Sequence, residues 1–317
     1  MINRGSLEVG QLVAFVDYLF HAMFSIMLFS LVFVMYPRAE VSANRIQELL
    51  EEEPLIKNPE NGVKDTKQTG SIEVDNVTFT YPYGEEPVLK NISFTAKKGE
   101  KVAFIGSTGS GKSTLINLIP RFYDVTKGSI KIDGVDVRDY DLKALRSKIG
   151  FIPQKTLLFT GTIGHNIKFG KKDASHKELE HSAKIAQAYE FISKKPNKFN
   201  EEITEGGSNV SGGQKQRLSI ARAIVRKPEI YIFDDSFSAL DFKTDAILRS
   251  KLKEETKDSI VLIVAQRVSS ILDADKIIVL NEGEVVGEGT HKELLKNCEI
   301  YYEIATSQLT KEELENE

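Results

Sequence analysis

From Leu12 to Tyr36 the chain is apolar with few interruptions. About 25 residues in a helix reach roughly 37 Å, enough to cross a bilayer. A secretory signal would carry a shorter apolar core and a small-residue cleavage site, and neither is present. The alternative is a hydrophobic helix buried in a soluble core, although everything after the segment reads as a complete domain without it. Arg38 and Arg45 follow the segment closely while only Arg4 precedes it, so its C-terminal side is expected to be cytoplasmic. Asp17, His21 and Ser25 fall at i, i+4 and i+8 and share one helix face. Either that face meets a protein interior or a water-filled cavity, or Asp17 and His21 snorkel to the outer headgroup boundary. One spanning helix makes no transport path, so the segment implies further membrane helices as partners, besides lipid.

The pattern then changes. Arg38 to Glu53 continues as a helix with Val41, Ile46, Leu49 and Leu50 on a helical period. Pro54 to Gly70 is polar, interspersed with Pro, Asn and Gly, and reads as a linker. Alternation at Ile72, Val74, Val77 and Phe79 predicts a half-buried strand, and Val88 to Phe94 another. Further strands are expected at Ser129–Ile132 and Lys148–Ile152, and a helix at His176–Tyr189. Three apolar strands follow at Ile230–Phe233, Ile260–Ala265 and Lys276–Leu280. Strands alternating with helices argue for a mainly parallel α/β sheet. No internal repeat is visible. The expected organisation is a membrane helix with its cytosolic extension over 1–53, a linker over 54–70, a domain over 71–309, and a solvated acidic tail over 310–317.

Composition narrows the partners. The 317 residues carry a formal net charge of −4 with acids and bases interspersed, and no basic arm that would engage nucleic acid. A single cysteine, Cys298, excludes an internal disulfide framework and fits a cytosolic setting for the bulk of the chain.

Chemistry enters at Gly106–Thr114, the stretch GSTGSGKST. It follows the apolar run Val102–Ile105 and opens onto Leu115–Ile119, giving a buried strand, a glycine-rich loop and a helix start. Gly106, Gly109 and Gly111 let the backbone around Ser107, Thr108 and Ser110 curl so that N–H groups face phosphate oxygens. Lys112 is placed to reach β- and γ-phosphates, the Ser113 hydroxyl to ligate Mg²⁺, and Thr114 closes the motif. Asp234 ends an apolar strand, where a nucleotidase needs an acid to hold Mg²⁺ through water; the other reading is a capping aspartate. Val210-Ser211-Gly212-Gly213-Gln214 begins a second helix that can present N–H groups to an anion, or is an ordinary loop and cap. Gln154 sits at a strand end, where its neutral amide can touch metal or water.

With these motifs in view the chain resembles the ATP-binding cassette (ABC) transporters, and specifically exporters with fused membrane and nucleotide domains. The resemblance implies an α/β P-loop NTPase fold of ABC type, with a helical subdomain at about 155–228, preceded by one transmembrane helix. It implies ATP and Mg²⁺ as cofactors, Tyr81 as the aromatic stacked on adenine, and Gln154 as the Q-loop residue. Ser211, Gly212, Gly213 and Gln214 correspond to the signature, Ser238-Ala239-Leu240-Asp241 to the D-loop, and Glu205 to the exporter-type loop before the signature. Leu158–Ile163 is likewise similar to exporters, and the N-terminal piece to the last transmembrane helix of one. The implied location is the cell membrane, multi-pass in the full-length protein, with the nucleotide domain cytoplasmic.

Two positions depart from the family pattern. Efficient family members carry Glu directly after the strand-end Asp, where this chain has Asp235, and His after the next strand, where it has Gln266. A general base must lie within about 2.6–3.2 Å of the water it activates, so one methylene less of reach is enough to break the contact. Gln266 can donate a hydrogen bond but cannot titrate or carry charge. Asp235, Gln266 and Gln154 are therefore the catalytic candidates of a site expected to hold ATP and hydrolyse it slowly. The family sandwiches ATP between the phosphate loop of one subunit and the signature of another. The resemblance thus implies the degenerate half of a heterodimeric multidrug exporter, acting on drugs or lipid-like compounds, with a second half-transporter as partner. Two alternatives stay open: a homodimeric exporter using Asp235 as base, and a membrane-tethered regulatory cassette without transport.

Overall fold

The computed structural model describes residues 8–66 and 70–309; Arg4 and the tail 310–317 lie outside them. Two units follow each other, with the boundary after Leu55.

The first unit is one helix, α1 (Val9–Glu51), of 43 residues. At 1.5 Å per residue it is about 64 Å long. The expected membrane segment and its extension are thus one continuous element. Pro37 lies inside it and cannot donate to the preceding turn. No residue of α1 is buried, and the helix is long and apolar enough to cross a membrane. Its polar stripe is satisfied locally, since His21 Nδ1 donates to the Asp17 carbonyl at 3.0 Å and Ser25 Oγ to the His21 carbonyl at 2.8 Å.

The second unit runs β1 (Ser71–Phe79), β2 (Leu89–Lys97), β3 (Lys101–Ile105), α2 (Lys112–Leu118), β4 (Lys127–Ile132), β5 (Val135–Asp136), α3 (Leu142–Ser147) and β6 (Ile149–Ile152). It continues with β7 (Gly161–Thr162), α4 (Ile163–Lys168), α5 (His176–Ile185), α6 (Tyr189–Ser193), β8 (Glu202–Ile203) and α7 (Gly212–Ile224). It ends with β9 (Ile230–Asp234), α8 (Phe242–Glu255), β10 (Ile260–Val264), β11 (Lys276–Asn281), β12 (Glu284–Gly289), α9 (His291–Asn297) and α10 (Glu299–Gln308).

The six-stranded sheet has the order β12-β11-β3-β10-β9-β6 and is parallel except at β12, which pairs antiparallel with β11. Strands β3, β6, β9, β10 and β11 are covered on both faces and read as largely apolar runs, whereas the edge strand β12 alternates exposed and half-buried positions. Val102 and Phe104 of β3 join a core with α2 and strands β1, β2 and β4, whereas Ala103 and Ile105 join a core with α5, α7 and α8.

The mainly parallel sheet expected from the sequence is accompanied by a second sheet. The strands at Ile72–Phe79, Leu89–Lys97 and Lys127–Ile132 form a separate antiparallel sheet with β5, in the order β2-β1-β4-β5. The expected helix at His176–Tyr189 is also divided between α5 and α6, at Gln187 with a left-handed φ of 55°.

Among the described residues, the segment expected as a linker over 54–70 holds no strand or helix, yet it is tied to the cassette. Val63 N donates to Asp139 O and accepts at its carbonyl from Asp141 N. Asn58 bonds the Asp141 carboxylate and the Leu142 N–H. Asp133 takes hydrogen bonds from Thr66 Oγ1, Gly70 N and Ser71 N. Buried Lys148 holds that same carboxylate at 3.1 Å and Glu229 at 3.0 Å.

Removing one partner from a buried ion pair leaves the other uncompensated, at about 3–5 kcal/mol. Lys148→Met is therefore expected to lower stability on the order of 3 kcal/mol or more, read by urea unfolding followed by circular dichroism. A loss below about 1 kcal/mol would show that the Asp133 site is not held by this charge.

Candidate functional site

The C-terminal ends of β3, β10, β9 and β6 open on one side of the parallel sheet, where ligands of such folds bind. The register sets Val264 beside both Phe104 and Asp234, so the segments that follow these strands bring Gly111–Thr114, Asp235 and Gln266 to one cleft. About 370 Å³ of space is lined there by Thr108, Gly109, Gly111–Thr114, Gln154, Asp234, Asp235, Val264 and Gln266, with Val88 from the loop before β2.

The loop from Gly106 to Gly111 is forced into its shape. A Cβ on Gly106 would lie 2.0 Å from the Leu280 carbonyl oxygen, and Gly111 holds φ 95° with Leu89 against it. Among the described residues no backbone carbonyl accepts the N–H of Gly111, Lys112, Ser113 or Thr114. These donors face an anion-sized opening at the start of α2. Lys112 is almost fully buried, with its ammonium on the carbonyls of Gly106 (2.9 Å) and Ser107 (2.6 Å) and on Ser110 Oγ (3.2 Å). Burial pushes its pKa down, while Asp235 and Asp234 act to raise it. A cation bonded only to neutral oxygens suits an incoming phosphate.

Ser113 Oγ donates to Asp234 Oδ1 at 2.8 Å. This hydroxyl–carboxylate pair fits Mg²⁺, a hard ion held by one or two protein oxygens together with substrate phosphates. Among the described residues there is no group of three His, Cys, Asp or Glu that would form an all-protein metal cage. Burial raises the Asp234 pKa, against the Ser113 hydrogen bond and with Asp235 adding to the rise.

Asp235 is nearly buried and takes a left-handed φ of 45°, which Asp tolerates better than longer side chains. Its carboxylate accepts from Gln154 Nε2 at 3.1 Å, and its N–H donates to Val264 O. Burial raises its pKa, and the Gln154 and Ser238 hydrogen bonds oppose that shift. The Gln154 amide is thus committed to Asp235 through its nitrogen and keeps its oxygen for the cleft.

Not every sequence-derived candidate joins this cleft. Tyr81 stands beside it, its hydroxyl 2.9 Å from Thr114 Oγ1 and its ring edge-on to Phe79 and Tyr123. Ser211, Gly212, Gly213 and Gln214 are absent from the lining and form the start of α7. Ser211 caps that helix reciprocally with Gln214, and a Cβ on the exposed Gly212 would meet nothing within 4 Å. Glu205 begins a single 3-10 turn ahead of the helix, where Lys215 Nζ bonds the Gly206 carbonyl.

Two contacts escaped the sequence reading. Thr156 Oγ1 bonds Gln216 Oε1, tying the segment after Gln154 to α7. Val88 enters the cleft from the loop before β2. None of the three belongs to a motif, and Thr156 and Gln216 stand 60 residues apart, a separation no local pattern encodes.

Strand, glycine loop, helix and facing acid are those of a P-loop nucleotide-binding cassette of the ABC type. Residues 89–238 match the family described as ABC transporter. An uncharacterized ABC transporter ATP-binding protein of Mycobacterium tuberculosis is 42% identical over 311 residues, 97% of this chain and 53% of that protein. A Staphylococcus aureus ATP-binding/permease protein named for multidrug export is 42% identical over 92% of this chain and 50% of its own length. A bacterial Atm1-family ABC exporter solved with ATP bound has a TM-score of 0.85 and 33% identity, over 96% of this chain and 54% of that one. The chain thus spans about half the length of the relatives it matches.

Lys112→Ala is expected to abolish tight MgATP binding, because it removes the one buried cation of the loop, while the glycine-shaped backbone keeps the fold. Equilibrium dialysis with MgATP, alongside circular dichroism, checks this; unchanged affinity would remove Gly106–Thr114 from the binding site.

Proposed function

We propose that this chain is the ATP-binding portion, with one membrane helix, of an ABC exporter whose own ATP site hydrolyses slowly. The observation that carries the reading is the composition of the cleft. A complete phosphate loop faces Asp235 and Gln266, with neither a glutamate nor a histidine among the lining residues. Bound MgATP would supply the phosphoanhydride bond whose cleavage drives such a cycle. Lys112 provides charge to the phosphates, Ser113 and Asp234 hold the cation, and Gln154 orients Asp235. Tyr81 provides an aromatic face for the base, on the analogy of aromatic–base stacking elsewhere.

Asp235 is drawn toward Gln154 by a hydrogen bond and has a short side chain, which weakens it as a base for a water beyond that amide. Gln266 supplies a neutral donor. Exposed Ser211 and Gly212, lying outside this cleft, are suited to complete the site of a second half-transporter that carries the consensus residues. This arrangement supports a heterodimeric assembly. The α1 helix and the trailing Arg38 and Arg45 support a place in the cell membrane with the cassette in the cytoplasm. The length and name of the S. aureus relative support further membrane helices in the full protein and an export role, with drugs or lipid-like compounds as cargo. A homodimer with Asp235 as base is the second reading, favoured by the position of Asp235 within the cleft.

The two readings part in a reconstituted complex with a consensus partner. Gly212→Glu is expected to cut kcat by about a hundredfold, the scale for losing a transition-state donor, because it blocks the partner's competent site. Asp235→Asn is expected to change kcat by less than about twofold, since that site contributes little turnover. If Asp235→Asn is the more damaging substitution, Asp235 is a working base and the homodimeric reading replaces the first.

A further inference from the structure

We propose that Gln308, on the last helix of the cassette, is a positioning residue that holds Gln266 in the phosphate cleft. The proposal rests on the reading of that cleft as the ATP site. The β10 strand ends at Val264, and Ala265 N is still held by the carbonyl of Phe104 on β3. From Gln266 onward the sheet no longer holds the chain. There the carboxamide of Gln308 takes over with both of its ends. Its Nε2 donates to the Gln266 carbonyl at 2.9 Å, and its Oε1 accepts from the Val268 N–H at 2.9 Å. One planar group thus brackets Arg267 and fixes the peptide planes on both sides of it.

The Gln266 side chain makes no hydrogen bond among the described residues and lines the cleft with Lys112 and Asp235. Its direction is consequently set by its backbone, and its carbonyl is anchored by Gln308. The clamp has a firm base. Tyr301 and Ala305 of α10 are fully buried, the Tyr301 hydroxyl bonds His291 Nδ1 at 2.7 Å, and Leu309 packs on the same core. Helix α10 is therefore docked without Gln308, which is itself exposed. The side chain's two bonds serve the segment Gln266–Val268, and they link the C-terminal helix to the cleft.

The test uses the full chain and two independent readouts: amide exchange of a peptide containing Val268 without nucleotide, and the ratio of MgATP to MgADP affinity. Gln308→Ala removes both bonds and is expected to speed Val268 exchange and to lower the affinity ratio about fivefold, the scale of one net hydrogen bond. Gln308→Glu can accept from Val268 N–H but cannot donate to the Gln266 carbonyl. It is expected to keep the slow exchange and still lower the ratio, a split that general loosening of α10 would not produce. Gln266→Ala serves as the reference and is expected to lower the ratio at least as far. A ratio lowered in Gln266→Ala but unchanged in both Gln308 variants overturns the positioning role alone. A ratio unchanged in all three overturns it together with the placement of Gln266 at the ATP site.

Discussion

The cleft depends on the register of three parallel strands. Phe104 on β3, Val264 on β10 and Asp234 on β9 lie side by side, and each strand delivers its next residues to the same end of the sheet. A parallel pairing fixes that alignment through slanted hydrogen bonds over the full strand length. A slip of one residue would exchange the side chains that these strands send to the two cores, and the packing of both cores resists it. From this one constraint follow the position of Lys112 beneath the loop, the Ser113–Asp234 contact across 121 residues of sequence, and the entry of Gln266 beside them.

Within that frame the electrostatics are unusual in one respect. Two adjacent carboxylates, Asp234 and Asp235, are both nearly buried, and the single buried cation near them is bonded to neutral oxygens rather than to either acid. Asp234 is held by the Ser113 hydroxyl and Asp235 by the Gln154 amide, so the two acids are turned to different partners. One faces the Ser113 hydroxyl and the other faces the Gln154 amide. Such a division suits firm retention of a magnesium nucleotide better than activation of water.

Much of this was legible in the sequence because it is local. The glycines, Lys112 and Ser113 of the phosphate loop act within a few residues of one another, and Asp234 announces itself by ending a fully apolar strand. The departures at Asp235 and Gln266 could be read the same way. What the sequence hid are pairings between distant segments. Alternation at Ile72–Phe79 marks a strand, but which sheet it joins is decided by partners at Leu89–Lys97 and Lys127–Ile132. The polar stretch after α1 looked unattached because its anchors, Asp133 and Asp141, lie far along the chain. Gln308 carries no motif at all, and its role emerges only where α10 meets the end of β10.

The proposed function requires that this cleft bind ATP and keep it intact. The most direct measurement is the identity of the nucleotide retained by the full chain after incubation with MgATP and rapid removal of the free ligand. The retained nucleotide is expected to be predominantly ATP. Predominantly ADP, with multiple-turnover hydrolysis near the usual enzyme median of about 10 s⁻¹, would contradict it.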